Sequence, residues 1–342
     1  MLAGHVLSGY PDDARLGGQT WRMLHVRIMS PAELTDSVVG VLEAEDAVSG
    51  LAVLRGAALR PAGDLVVADV AREAANDLIE RLRALGVHRR GSIQLESVPI
   101  WLSRDGFDAE VRTPGSSADA VVWAEVTLRA YEETEFNWTY LTFMVLATLL
   151  ASIAIVVDSQ ILVIGAMVLG PEFGAIAALG IALVRRRLML FGLAVRTLVL
   201  GFLVAIGVTF LMALLGRGLG WISGEMVTGP RPETAFIYTP DKWSFIVALI
   251  AAAAGVLSMT SAKSGAMVGV FISVTTVPAA GNIALGLAFG VGSTVWGSAL
   301  QLVVNLAGMA LAGWVTLALQ DAVWSRVSLH RAKAYTHPRR ML

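Results

Sequence analysis

The chain has 342 residues, of which 56% are hydrophobic and 15% charged, and its formal net charge is −1. Soluble domains run at about 45–50% apolar and about 25% charged, so the apolar surplus points to segments that face lipid. A near-neutral balance argues against a nucleic-acid partner, which calls for a basic face. With no cysteine, disulfides and thiolate metal sites are excluded.

Residues 1–22 are rich in Gly, Asp and Arg without period and read as a tail. They lack a basic stretch followed by an apolar core, so no cleaved signal peptide is expected. From Met23 the pattern sharpens: Leu24, Val26 and Ile28 alternate with polar neighbours, as a half-buried strand requires. Ser30 is placed to cap a helix, with Pro31 in its first turn, Glu33 as the acid of a capping box, and Leu34, Val38, Val41 and Leu42 as its apolar stripe. Two strand-like runs follow, Leu51–Leu59 and Leu65–Val70, joined by a turn at residues 60–64. A second helix is expected over Arg72–Leu85 with Gly86 as its stop, and a last strand from Ser92 with Ile93 and Leu95 inward. The order βαββαβ over residues 23–103 predicts a small ferredoxin-like α+β domain, a fold that serves enzymes, sensors and assembly modules alike. His88-Arg89-Arg90 reads as a solvated loop or an anion-binding cluster, and none of the five histidines has metal-ligand spacing.

Residues 104–135 read as a linker, with Pro114-Gly115-Ser116-Ser117 at its centre, leading into an amphipathic helix over Ala118–Glu135. Trp138 and Tyr140 then read as anchors at a membrane interface. Residues 136–320 carry nearly all the long apolar runs. They divide into six expected spans, each near the about 20 residues a bilayer requires: Phe136–Val157, Gln160–Val184, Leu188–Leu215, Trp243–Leu257, Gly265–Gly290 and Ser293–Leu319. Arg185-Arg186-Arg187, between the second and third spans, is the strongest positive-inside signal. It places both termini in the cytoplasm, including the basic tail of residues 321–342, and implies a multi-pass protein of the cell membrane.

Two segments share their wording. Gly265-Ala266-Met267-Val268 repeats Gly165-Ala166-Met167-Val168, and Pro278-x-x-Gly281 repeats Pro171-x-x-Gly174. The copies lie three spans apart, in the second and fifth, so the halves carry opposite topology, a 3+3 inverted repeat whose proline-broken helices define a midplane site. The copies differ in spacing, since Pro171 lies 6 residues after Gly165 and Pro278 lies 13 after Gly265. These segments, 151–184 and 254–290, resemble the two halves of the DUF389 family of bacterial and archaeal hydrophobic membrane proteins. The resemblance covers about residues 136–320 and, weakly, the α/β front end, and it implies a membrane protein without implying any activity.

Glu172 sits near the middle of its expected span, where an ionised carboxylate costs several kcal/mol unless paired, hydrated or protonated. It reads as a proton carrier or cation ligand, or else as half of a structural pair. Arg196 is its expected partner by depth, with snorkelling to the cytoplasm as the other reading. Breaks at Gly170-Pro171 and Val277-Pro278 free backbone groups. Gly174, Thr275, Thr276 and Asn282 flank these breaks, and Gly297, Gln301 and Asn305 form a small, polar stripe on the sixth span that lines a wet path or packs helices. Asp158 and Lys263 border the repeats as gates or as solvated turns.

No Walker loop, HExxH or nucleophile elbow occurs, so no enzyme activity and no cofactor are expected. The reading is a homo-oligomeric transporter or channel for a small solute or ion. The other reading is a membrane-anchored sensor or scaffold that acts through its cytosolic α/β domain.

Overall fold

The structure is a computed structural model that describes residues 23–98, 103–113, 120–234, 237, 242–260 and 276–335, with 242–244 and 324–335 by backbone alone. It divides into two compact units, residues 1–123 with 327–342 and residues 124–326. The chain is mostly helical, with one small antiparallel sheet near its N-terminus.

In the N-terminal unit the element order is β1 (Met23–Ser30), α1 (Ala32–Glu43), β2 (Val48–Leu59), β3 (Ala62–Ala71), α2 (Ala75–Ala84), α3 (Val87–Arg90), β4 (Ser92–Ser97) and α4 (Arg104–Arg112). The strands lie in the order β2-β3-β1-β4, all antiparallel, with Val26 opposite Ala68 and Leu95. This is the connectivity of a split βαβ unit. Leu24, Val26 and Ile28 of β1 and Val66, Ala68 and Val70 of β3 meet Val38 and Leu42 of α1 and Leu78 and Leu82 of α2 in one core. Each of the larger aliphatic side chains there contributes about 1.5–3 kcal/mol by leaving water.

Four local expectations need correction. Ser30 does not cap α1: it ends β1 opposite Asp64 and its hydroxyl turns to the Pro31 carbonyl, so Pro31 takes the cap position without a side-chain bond. The β2–β3 turn is shorter than residues 60–64, because Asp64 belongs to β3 and accepts the Gly56 amide (2.7 Å) and Arg55 Nη1 (3.1 Å). Gly56 supplies that amide from a positive φ of 66° inside an irregular stretch of β2, a conformation that L side chains rarely adopt. His88-Arg89-Arg90 lies in the short helix α3 rather than in a loop, and Arg90 pairs with Glu33. Residues 104–112, read as linker, form α4, capped by Ser103 and packed on β2 and β3.

The second unit runs α5 (Trp123–Glu133, across the boundary), α6 (Trp138–Val156), α7 (Gln160–Leu169), α8 (Glu172–Val184), α9 (Leu188–Gly218), α10 (Gly224–Thr228), α11 (Lys242–Thr260), α12 (Thr276–Phe289) and α13 (Gly292–Tyr335). Among the described residues, α6, α9 and residues 292–323 of α13 are long and apolar enough to cross a membrane, and the bent pair α7–α8 makes a fourth candidate. Phe245–Thr260 of α11 and all of α12 are apolar but shorter. The second Gly-Ala-Met-Val copy, Lys263 and Thr275 lie outside the described residues. Helix α13 continues past Leu319, where the sixth span was expected to end, to Tyr335.

Small residues set the helix spacing. A Cβ on Gly281 of α12 would come 3.0 Å from the Ser152 amide and 3.2 Å from the Thr148 carbonyl of α6. A Cβ on Gly180 of α8 would come 3.0 Å from the backbone of Gly313 and Trp314 in α13. Helices at such glycines approach backbone to backbone, which suits association where the hydrophobic effect no longer discriminates.

Candidate functional site

Helix α7 ends at Gly170, whose backbone is extended, and α8 begins after Pro171 at a bend of 56°. Proline has no N–H and forbids continuation of the α7 ladder, so the break follows from this dipeptide. Glu172, the first residue of α8, is 1% exposed. The Thr276 hydroxyl, on the first residue of α12, donates to its Oε1 at 2.7 Å. Pro278 follows within the first turn of α12, where a missing N–H disturbs nothing. Val277 and Pro278 are helical in α12, and the residues before Thr276, where the expected break would free backbone groups, lie outside the described residues. The first residue of α8 and Thr276 of α12, each close to a proline, are thus joined by one carboxylate–hydroxyl bond.

Gly174, in the first turn of α8, lies under Glu133: a Cβ there would overlap the Glu133 carboxylate. Withdrawal from water pushes the Glu133 carboxyl above the ordinary range, with Glu132 adding to this and Arg129 opposing it. Tyr140 is not an interfacial anchor. It is 7% exposed and lies against Gly201, near the middle of α9, where a Cβ would come 2.8 Å from its ring.

Arg196 does not pair with Glu172 either. It is exposed and lines a cavity of about 430 Å³ with Tyr131, Glu132, Glu135, Phe136 and Thr197, at the junction of α5 and α6. The Thr197 hydroxyl fixes that level of α9 by donating to the Thr134 carbonyl at 2.7 Å. Counting depth along the sequence placed Arg196 within reach but could not supply its azimuth on α9. A second cavity, of about 420 Å³, is almost wholly apolar and lies between α6 and α9. Glu172 lines neither of the two.

Asn282, one turn beyond Pro278, donates to Ser298 Oγ at 2.9 Å and accepts from Arg231 Nη1 at 3.2 Å. Ser298, Gln301 and Asn305 are buried on one face of α13, so the predicted polar stripe faces inward, with Gly297 only partly buried. Arg231 is 6% exposed and was missed, because Gly-Pro-Arg-Pro reads as an outer loop. Asp158, in a turn at φ 47°, accepts from the Thr234 hydroxyl at 2.8 Å and holds the same loop. Arg217 closes the far end of α12 by donating to the Ala288 carbonyl at 2.7 Å, its guanidinium 5.2 Å from the Phe289 ring centre. Among the described residues no three His, Cys, Asp or Glu side chains gather as a metal site.

Residues 167–311, from the end of α7 into α13, match the family model described as Domain of unknown function (DUF389). Over that stretch the chain is similar to the DUF389 family. The matched stretch contains Glu172, Thr276, Asn282, Gln301 and Asn305. No curated protein and no solved structure matches the chain. The DUF389 match, whose description assigns no function, and the apolar helices are consistent with a membrane protein.

Proposed function

We propose that the DUF389-like region moves a small solute or ion across the cell membrane through a site at the starts of α8 and α12. The observation that carries this reading is the buried Glu172 carboxylate at a broken helix, held by Thr276 of α12. Structural carboxylates in apolar surroundings are expensive, and a break in the spanning helix leaves backbone groups free to meet a solute. In this reading the chain crosses the membrane six times as a 3+3 inverted repeat, with the Arg185–Arg187 turn and both termini in the cytoplasm. The α/β unit regulates or assembles a homo-oligomer, and neither unit performs catalysis. Glu172 is sealed from solvent, the occluded stage of a carrier cycle. The same seal supports the second reading, in which the helices only anchor a cytosolic sensor or scaffold.

Flux into liposomes holding the purified protein, across a panel of ions and metabolites, separates the two. Transport predicts uptake of at least one solute above empty liposomes and a fall of tenfold or more in Glu172→Gln. A well-folded protein that passes none of the panel, or a Glu172→Gln variant with unchanged flux, contradicts it.

A further inference from the structure

The cavity at the junction of α5 and α6 gathers charges of both signs that the fold leaves unpaired. Arg196, Glu132 and Glu135 line it, and among the described residues none of these three side chains enters an ion pair. Its other walls are partly apolar, from Phe136 and Leu193. The Thr197 hydroxyl at its rim is already donating to the Thr134 carbonyl, so the charged groups are what the cavity offers a ligand.

The place of Arg196 on α9 says what kind of molecule reaches it. Helix α9 is apolar and long enough to cross a membrane. Its 31 residues extend about 46 Å at 1.5 Å each, against a hydrocarbon core of about 30 Å. Its first turns therefore stand outside the apolar layer, and Arg196, nine residues after Arg187, lies about 13 Å along it, near the level of lipid headgroups. Val199 and Leu203 follow Arg196 at the i+3 and i+7 positions of the same face and are 50% and 62% exposed. The arginine thus heads an apolar stripe that faces lipid, which is where an acyl chain hangs below its headgroup.

We propose that this cavity holds the headgroup of a membrane phospholipid ending in a primary amine, its phosphate on Arg196 and its ammonium on Glu132 and Glu135, with an acyl chain along Val199 and Leu203. A guanidinium suits phosphate in charge and in fork geometry. A primary ammonium brings three N–H donors to the two carboxylates, whereas a choline headgroup has no N–H to donate. Two carboxylates against one guanidinium leave the lining net negative, which disfavours an anionic headgroup. Glu133 does not line this cavity; it lies over Gly174 of α8. The site is separate from Glu172 and stands whether or not the chain transports a solute.

Native mass spectrometry of the full chain, delipidated in detergent, tests this with phosphatidylethanolamine, phosphatidylcholine and phosphatidylglycerol of the same acyl chains. The expected result is retention of phosphatidylethanolamine about fivefold above each of the others, an energy in the range of one charge-assisted hydrogen bond. The double variant Glu132→Gln, Glu135→Gln brings phosphatidylethanolamine down to the choline lipid and leaves the choline lipid unchanged. Arg196→Gln weakens both, since both carry the phosphate. All three positions are exposed, and unchanged thermal midpoints by circular dichroism show that the variants fold. Equal retention of the three lipids, tighter binding of phosphatidylglycerol, or an amine preference that survives the double variant overturns the proposal. Displacement of the lipid by an equal concentration of soluble glycerophosphoethanolamine overturns the lipid as occupant, because the acyl stripe then contributes nothing.

Discussion

Asp64 shows how one side chain fixes a local fold. Its carboxylate collects the Gly56 amide and the Arg55 guanidinium, and these bonds, the amide first, hold its carboxyl below the ordinary value of 3.8. A depressed acid stabilises the fold above its unfolded value and loses that contribution as pH falls through the folded one. Asp64→Asn therefore lowers the unfolding midpoint at pH 7, and the gap to the parent narrows as the buffer is taken below 3.8. Thermal unfolding followed by circular dichroism checks both halves; an equal gap at pH 7 and pH 3 contradicts the assignment. At this scale the sequence was informative about kind and poor about partner. Glu172 announced itself as an acid in an apolar run, but the hydroxyl it accepts from is Thr276, while Tyr140 is buried and Arg196 exposed. A helix position fixes height along the axis, whereas facing depends on how neighbouring helices are rotated, which sequence spacing alone does not encode.

At the scale of elements, the proline and glycine signals were legible because they act locally. Gly170-Pro171 breaks the α7–α8 span as expected, and Gly86, at φ 79°, stops the preceding α2 turn. Pro278 carries the same chemistry, yet it lies within the described helix α12, whose preceding residues are outside the described ones. The strands of the α/β unit followed from alternation, but the irregular pairing of β2 around Gly50 and Gly56 did not, because a positive φ leaves no periodic mark. The close glycine contacts were equally hidden, for small residues are common in apolar helices whether or not they touch a neighbour. Gly281→Ala places a methyl against the Ser152 amide and Thr148 carbonyl. Such overpacking costs about 1–3 kcal/mol, so the variant in detergent unfolds at a lower temperature, whereas Gly207→Ala, with nothing near its Cβ position, unfolds as the parent does. Equal midpoints for the two variants contradict the close approach of α6 and α12.

For the whole molecule, composition separated a soluble-looking front end from an apolar remainder, and the sheet and the long helices fall on the two sides of that division. The central claim is that the starts of α8 and α12 enclose a site that water and solute reach in turn from both faces of the membrane. The absence of native cysteine allows a direct measurement: Thr276→Cys as the single thiol, in sealed vesicles of known orientation, treated from one face or the other with a membrane-impermeant maleimide. Leu59→Cys, on an 85% exposed position, serves as the fast control. The account predicts slow modification of position 276 from each face. A thiol at 276 that stays unmodified from both faces, while position 59 reacts to completion, contradicts it.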